Sequence, residues 1–368
     1  MRVRLAELRS FRNYASLAFE PDEGVTVLCG RNAQGKTNLL EAIALCGVGR
    51  SHRAGHDSEL IQWDARRASV RLETVNRDGA HDVKVILDRG GGRKSKQVLI
   101  GSSPASRIGE LMGHAPSVLF SPEDLGLVKD GPGERRRFMD MALSQLRPQY
   151  FYALQQYSRA LKQRNGLLRT LSRPDAPAAE VSSQLEPWDG LLARTGASVI
   201  RYRVWFLERL ARDAREAHAH LSGSDEALGA RFVCPFAGED DAERAILDAL
   251  RAGRARDLAT RGTGAGPHRD DFELTLNGKP ARVYGSQGQQ RTAALSLKLA
   301  ALRAIRDELG ETPVLLLDDV MSELDAERRR RLLSWMTDAQ TIITCTDADD
   351  VNGAQVGKFC AVSGGEIH

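Results

Sequence analysis

The stretch that decides the fold reads Gly30-Arg31-Asn32-Ala33-Gln34-Gly35-Lys36-Thr37. It fits the phosphate-binding loop pattern of glycine, four residues, glycine, lysine and serine or threonine. An apolar run ending at Cys29 precedes it and a helix-like run beginning at Asn38 follows it. A chance match is the alternative, but this strand-loop-helix context makes chance a poor explanation. The stretch predicts an α/β protein that binds a nucleoside triphosphate.

Each part of the loop has a physical role. Glycines let backbone N–H groups curl around phosphates. Lys36 supplies a positive charge to the terminal phosphates, and the Thr37 hydroxyl is suited to ligate Mg²⁺. We therefore expect ATP and Mg²⁺ as cofactors, held by the loop residues and by Asn38.

Composition limits where other partners can bind. The 368 residues include 52 basic and 49 acidic side chains, so the net charge is only +3. Any DNA-binding surface must therefore be local. Five cysteines without a C-x-x-C pair favour free thiols in a reducing cytoplasm. No apolar run is long enough to span a membrane, and the start lacks the apolar core of a signal peptide, so we expect no membrane partner.

The middle of the chain changes to long helical patterns, predicted over 134–146, 148–171 and 181–221. We expect an inserted helical arm at 122–262 between two lobes of a head, at 1–121 and 263–368. Strand patterns return at 271–276 and 281–283, with a hairpin turn at Asn277-Gly278. The basic loop 89–96 is either solvated or in contact with the DNA backbone. The cluster Arg135, Arg136 and Arg137 lies on a solvated face, pairs with nearby acids or contacts DNA.

The second feature is a pair of acidic residues that follows an aliphatic run. Val314-Leu315-Leu316-Leu317 ends in Asp318-Asp319, as expected of a buried parallel strand that delivers acids to the edge where the loop lies. Asp318 would hold magnesium through water, and Asp319 would orient the attacking water. An ordinary acidic turn is the alternative, which the phosphate-binding loop disfavours.

A third feature is the helix start Ser286-Gln287-Gly288-Gln289. Free N–H groups and the positive end of the helix dipole suit a phosphate. The same residues also fit a plain capping box with Ser286 and Gln289, and both interpretations hold together.

These three features in this order resemble the ABC-type ATPases, in which the helix start of one subunit closes on the γ-phosphate held by another. Together with Phe11-Arg12-Asn13-Tyr14, Gly49-Arg50-Ser51-His52-Arg53 and Gly266-Pro267-His268-Arg269-Asp270-Asp271, they resemble the bacterial RecF family from end to end. The resemblance implies an α/β ABC-type P-loop ATPase head, a mixed sheet with helices, carrying an inserted α-helical arm. It implies a DNA-dependent ATPase that dimerises on ATP, binds double-stranded, single-stranded and gapped DNA, and acts with RecO, RecR and the RecA recombinase.

Some positions depart from the wider ABC pattern. Asp319 stands where a glutamate is usual, and Thr346 stands where a switch histidine is usual. We therefore predict slow hydrolysis that times a clamp. Residues 121–124 lie about where a nucleotide-sensing loop belongs. Arg53 is either a DNA or nucleotide sensor, by the same resemblance, or an exposed loop arginine.

Two other functions remain open from the residues alone. A small-molecule kinase would also use the loop, but it has no evident task for the Ser286 helix start. An ATPase subunit of a transporter would need a membrane partner. The motif Phe11–Tyr14 near the start of the chain and the arginine-rich insertion favour the DNA-repair ATPase instead, by resemblance.

Overall fold

The computed structural model describes residues 1–90, 95–173, 177–336 and 338–368. Residues 91–94 of the predicted basic loop lie outside this range. The chain divides into two compact units. The first unit comprises Met1–Leu125, Asp213–Glu226 and Ser286–His368, and the second comprises Gly126–Arg212 and Ala227–Gly285. In the described part of the chain, no helix combines the length and apolarity needed to cross a membrane.

The strands are β1 (Arg2–Phe11), β2 (Tyr14–Phe19), β3 (Val25–Cys29), β4 (Arg67–Asn76), β5 (Gly79–Asp88), β6 (Lys96–Ile100), β7 (Ser103–Pro104), β8 (Ser117–Phe120), β9 (Leu228–Val233), β10 (Asp271–Leu276), β11 (Lys279–Pro280), β12 (Val314–Asp318), β13 (Thr341–Cys345), β14 (Val356–Ser363) and β15 (Glu366–Ile367). The helices are α1 (Lys36–Val48), α2 (Gly126–Lys129), α3 (Pro132–Leu146), α4 (Pro148–Leu171), α5 (Ala178–Ser222), α6 (Ala242–Ala252), α7 (Arg254–Thr260), α8 (Ala281–Tyr284), α9 (Gln287–Leu309) and α10 (Ala326–Trp335).

One sheet of the first unit carries the phosphate-binding loop. Its strand order is β15-β14-β3-β13-β12-β8, and β14, β3, β13, β12 and β8 run parallel. Every residue of β12, β13 and β8 is buried, which explains their nearly continuous apolar sequences. Because β13 lies between β3 and β12, the loop after β3 and the acids at the end of β12 meet at one sheet edge.

A second sheet of the first unit is antiparallel, with the order β2-β1-β4-β5-β6-β7. Alternate residues of β4 are buried, so one face of the sheet points into a core. Helix α1 packs against β4 of this sheet and against β8 and β12 of the parallel sheet, and its residues from Leu39 to Val48 are all buried. The predicted α/β fold class is therefore confirmed for this unit.

The second unit combines long helices with the small sheet β11-β10-β9. This unit extends to Gly285, beyond the end of the arm expected at 122–262. The extension arises because β9 pairs along its whole length with β10, which keeps residues 271–276 in this unit. The last residues of α5, from Asp213 onward, cluster with the first unit instead.

One predicted strand needs correction. Residues 281–283 form helix α8, because Pro280 lacks the N–H that would continue the ladder of β11. The hairpin turn at Asn277-Gly278 is confirmed, with both residues at positive φ.

Arginines of the second unit hold its interior together. Arg164 is fully buried and forms ion pairs with Asp189 at 2.7 Å and Asp257 at 2.6 Å. Arg203 is also buried and pairs with Asp270 at 3.0 Å and Asp140 at 2.9 Å. These two arginines therefore have a structural role.

Candidate nucleotide site

The phosphate-binding loop is shaped by close backbone approaches. Ala33 and Gly35 have φ values of 64° and 117°, in the left-handed region. A Cβ atom on Gly30 would lie 2.3 Å from the carbonyl oxygen of Val362, so only glycine fits there. The ammonium of Lys36 donates to the carbonyl oxygens of Gly30 and Arg31, the latter at 3.2 Å. The lysine charge is thus held over the loop.

The turn between β1 and β2 braces the loop from outside. The Tyr14 hydroxyl donates to the carbonyl oxygen of Gly35 at 3.0 Å, and burial raises the pKa of this tyrosine above its ordinary value. The Asn13 side-chain amide donates to the carbonyl oxygen of Gln34 at 3.1 Å and accepts from Asn38 at 2.7 Å. The sequence offered this turn only as a point of resemblance, whereas the structure gives it a mechanical role.

A buried carboxylate on α1 links the same turn to the loop after α1. Two guanidinium nitrogens of Arg12 donate to Glu41, each at 2.8 Å, and the Ser51 hydroxyl donates to it as well. Burial alone would raise the pKa of Glu41, but these hydrogen bonds hold it below its ordinary value. Burial also lowers the pKa of the neighbouring His52 to about 4. Ser51 is therefore anchored directly to the helix of the phosphate-binding loop, and it accepts the Arg53 N–H at 2.9 Å.

Asp318 meets the loop at the predicted edge. Its Oδ1 accepts from the Thr37 hydroxyl at 2.8 Å and from the Thr344 hydroxyl at 2.9 Å. Burial raises the pKa of Asp318, and the two hydrogen bonds partly offset this rise. A threonine hydroxyl and a carboxylate are hard oxygen donors of the kind that Mg²⁺ uses, so Thr37 and Asp318 fit the expected metal.

Asp319 has a strained and incompletely satisfied environment. Its φ is 54°, and its N–H donates to the Thr344 hydroxyl at 2.9 Å. Its Oδ1 is buried, and no described residue donates a hydrogen bond to it. A buried acceptor without a partner fits a bound water or a ligand group. Sequence reasoning missed Thr344, although a threonine inside the apolar run of β13 was the available signal.

The Ser286 helix start is capped as its pattern indicates. The Ser286 hydroxyl accepts from the Gln289 N–H at 3.3 Å, and the Gln289 side chain accepts from the Ser286 N–H at 2.7 Å. The Gln289 amide also donates to Glu226. Ser286 and Gln287 are exposed, and Gly288 is only half-buried. Among the described residues, 286–289 form no hydrogen bond with the phosphate-binding loop, so the structure does not bring these two predicted parts together.

The candidate DNA residues fall into different environments. Arg53 is exposed, and its charge acts to lower the pKa of Asp318, so it lies within electrostatic range of the acids. Arg135 requires a correction, because it is buried and forms a two-point ion pair with Asp271 at 2.6 and 2.9 Å. Arg136 is half-buried and donates to the carbonyl oxygen of Asp270 at 2.7 Å, and Arg137 is half-buried.

The segment 121–124, where a nucleotide-sensing loop is expected, carries the acids Glu123 and Asp124. The Asp124 side chain accepts from the Ser121 N–H at 2.9 Å and pairs with Lys298 of α9 at 2.7 Å. Glu123 is exposed, and its charge acts to raise the pKa of Asp318. An acidic residue of the segment 121–124 therefore lies within electrostatic range of Asp318.

The parallel sheet, its loop and its paired acids define a P-loop ATPase head of the SMC class. The family model described as RecF/RecN/SMC N terminal domain matches residues 2–364. A protein of Clostridium perfringens (strain SM101 / Type A) named DNA replication and repair protein RecF is 40% identical over 95% of this chain and 94% of its own length. A protein of Ruminiclostridium cellulolyticum has the same name and is also 40% identical, over 100% of this chain and 99% of its own length. The chain belongs to the RecF family.

Solved structures agree with this assignment. A structure of the recombination mediator protein RecF-ATP in the RecFOR pathway has a TM-score of 0.90 and 34% identity, covering 100% of this chain and 96% of its own. An SMC head domain from Pyrococcus furiosus has a TM-score of 0.55 at 17% identity, over 98% of this chain and 93% of its own, and shows the shared fold.

Proposed function

We propose that this protein is a DNA-binding ATPase of recombinational repair and replication-fork recovery, whose ATP-bound form is a dimeric clamp on gapped DNA. The observation that carries the proposal is that one part of the expected ATP site is assembled within this chain and the other part is not. The loop and Asp318 are joined through Thr37 at 2.8 Å, whereas the helix start at Ser286 is capped, exposed and not engaged with the loop. A second copy supplying its Ser286 end to the γ-phosphate completes such a site.

Each residue of the site then has a defined task. Lys36 and the loop N–H groups hold the phosphates, and Thr37, with Asp318 acting through water, would hold Mg²⁺. The metal supplies charge neutralisation at the β- and γ-phosphates when it is bound. The unpartnered Oδ1 of Asp319 orients the attacking water.

Turnover should be slow and stimulated by DNA. Asp319 has a shorter side chain than glutamate, and Thr346 is exposed and supplies no imidazole donor to the γ-phosphate. Hydrolysis then acts as a timer that releases the dimer from DNA. Arg53 is our remaining candidate for DNA sensing in the first unit, and Arg136 and Arg137 are weaker candidates in the second.

Partners follow from the family and its relatives. The similar solved structures belong to the RecFOR pathway, so we propose RecO and RecR as partners and loading of the RecA recombinase as the outcome, in the cytoplasm. The kinase and transporter alternatives have no supporting feature among the described residues.

The test is binding to a labelled gapped duplex, followed by fluorescence anisotropy, with no nucleotide, ADP or ATP. We expect tight binding with ATP only, a steep decrease with salt, and loss of the ATP effect in Ser286→Arg. The control is Ser102→Arg, an exposed serine in the turn between β6 and β7, outside the loop and the α9 helix start. Equal DNA affinity with and without ATP in the wild-type protein would contradict the clamp.

A further inference from the structure

A fully buried imidazole of the first unit takes no part in the proposed ATP chemistry. His218 lies in the last turns of α5, in the segment Asp213–Glu226 that clusters with the first unit. Its Nε2 donates to Oε1 of Glu226 at 2.8 Å, because an ionised carboxylate only accepts hydrogen bonds. Its Nδ1 lies 3.3 Å from the Ser296 hydroxyl oxygen of α9. His218 therefore anchors the half-buried Glu226 to the interior of this unit.

The other oxygen of Glu226 holds the start of α9. Its Oε2 accepts from the side-chain amide of Gln289, and the amide oxygen of Gln289 accepts the Ser286 N–H at 2.7 Å. Only one orientation of the amide satisfies both partners, because the carboxylate needs its NH₂ group and the backbone N–H needs its oxygen. Glu226 therefore fixes the Gln289 amide in the orientation that closes the capping box with Ser286.

The contacts of His218 and Glu226 follow one face of α9. Gln289 and Ser296 lie about two helical turns apart, so their side chains share that face. Between them, the Thr292 hydroxyl donates to the carbonyl oxygen of Gly288 at 2.8 Å, and the Ser296 hydroxyl donates to that of Thr292 at 2.6 Å. The first turns of α9 are thus tied to a buried anchor, while Ser286 at their end is exposed.

The anchoring of an exposed helix start matters when the start must receive a ligand from another molecule. The first N–H groups of a helix have no partner within the helix, and they bind a phosphate best when their direction is set in advance. A start that was free to move would lose conformational freedom on binding, which weakens association. Glu226 and His218 provide this preorganisation for Ser286, although neither belongs to the helix start.

We infer that Glu226 and His218 are positioning residues for dimerisation on ATP, which hold Gln289 and the Ser286 helix start in the orientation that receives the γ-phosphate of a second copy. This inference rests on the proposed ATP-dependent dimer and deepens it, because it assigns the geometry of the helix start to two residues outside α9. Neither residue is part of the loop that binds ATP within the same chain. Their loss should therefore weaken the dimer and leave ATP affinity unchanged.

The test measures the dimer dissociation constant by light scattering over a range of protein concentrations, with ATP and Mg²⁺, in an Asp319→Asn background that keeps ATP intact. We expect Glu226→Ala to raise this constant about tenfold, because both sites of a symmetric dimer lose an oriented amide. Glu226→Gln should restore most of the affinity, since its oxygen accepts from Gln289 and its NH₂ group donates to Nε2 of a neutral His218. Asp225→Ala, an exposed acid beside Glu226, is the matched control and should dimerise normally.

Further measurements separate positioning from a general loss of structure. ATP affinity by calorimetry and the thermal unfolding midpoint should be the same in Glu226→Ala and its parent protein. His218→Phe keeps a buried ring but removes its hydrogen bonds, so it should weaken the dimer in the same direction. In a double-mutant cycle, Glu226→Ala and Gln289→Ala should be non-additive, because Glu226 acts through Gln289.

The outcomes distinguish this inference from the dimer on which it rests. A normal dimer in Glu226→Ala or His218→Phe would overturn the inference alone, as would full additivity in the cycle. A loss of ATP affinity that matches the loss of dimer affinity would make Glu226 a residue of general structural importance and would also overturn it. A parent protein that stays monomeric with ATP would contradict the proposed dimer together with the inference.

Discussion

Thr344 donates its hydroxyl hydrogen to Oδ1 of Asp318 at 2.9 Å, across two neighbouring parallel strands. The same hydroxyl oxygen accepts the N–H of Asp319 at 2.9 Å. One side chain therefore positions both acids that follow the aliphatic run of β12. The exposed Thr346, two residues further along, stands at the position where the wider ABC pattern places its switch histidine.

Replacement of Thr344 by valine tests this positioning. We expect Thr344→Val to reduce ATP turnover at least tenfold and to leave ATP affinity within about twofold, because Lys36 and the loop N–H groups remain in place. The control is Thr341→Val on the same strand, which loses a buried hydrogen bond to Ala339 but lies away from the acids. Equal loss of turnover in the two variants would refute a specific role for Thr344. Steady-state phosphate release and nucleotide calorimetry measure both quantities.

The close approach at Gly30 gives a prediction about loop geometry. Gly30→Ala places a methyl group 2.3 Å from the Val362 carbonyl oxygen, so the loop or β14 must shift. We expect a stability loss of about 1–3 kcal/mol and weaker ATP binding. Gly166→Ala is the control, because a Cβ there meets nothing within 4 Å and the site is inside α4. That variant should gain about 0.5–1 kcal/mol. Normal stability and ATP affinity in Gly30→Ala would show that the contact is unimportant.

The buried ion pairs of Arg164 predict where the second unit is most sensitive. Arg164→Met leaves Asp257 buried without its cation and leaves Asp189 paired with Arg254 alone, which should destabilise the unit by about 3–5 kcal/mol. Arg169→Met, at an exposed position of the same helix, should change stability by no more than about 0.5 kcal/mol. Denaturant unfolding followed by circular dichroism compares the two. Similar small effects would mean that Asp257 finds another partner and that Arg254 is sufficient for Asp189.

His268 predicts a pH dependence of stability. Burial lowers its pKa to about 4. Its ring donates from Nε2 to the Thr263 carbonyl oxygen at 2.9 Å. The unfolded chain binds its proton near pH 6.5, so the unfolded state holds more protons between about pH 6.5 and 4. The free energy of unfolding is therefore not reduced by His268 above about pH 6.5, and protonation of the unfolded chain lowers it as pH falls from about 6.5 to 4.

The measurement compares thermal unfolding midpoints at pH 7.5 and 5.5. The wild-type protein should lose about 1 kcal/mol more than His268→Gln over this interval, because glutamine keeps a donor for Thr263 but does not titrate. An identical pH response of the two proteins would assign the pH dependence to other groups, such as His52.

Much of the candidate site was predictable because its parts are local patterns. The loop at Gly30–Thr37, the acids at Asp318-Asp319 and the cap at Ser286 each occupy a few consecutive residues with a fixed chemical logic. The long helices α4 and α5 were predicted nearly to their ends for the same reason, since apolar periodicity and prolines mark them.

The remainder depends on contacts between distant residues. Tyr14 braces Gly35, and Thr344 holds Asp318, only because separate strands align in one register. Arg164 and Arg135 carry the same sequence signal as a solvated arginine, and only the fold supplies their buried acidic partners. The helix at 281–284 was mistaken for a strand because the short pattern around Val283 does not distinguish the two.

The most direct test of the central claim is molecular mass in solution, measured by light scattering with no nucleotide, ADP or ATP, with and without gapped duplex DNA. We expect a monomer without nucleotide and a dimer with ATP, strengthened by DNA. We also expect the dimer to persist in Asp319→Asn and the Ser286→Arg protein to stay monomeric in every condition. A monomer in every condition, with ATP binding intact in the wild-type and Asp319→Asn proteins, would contradict the composite site.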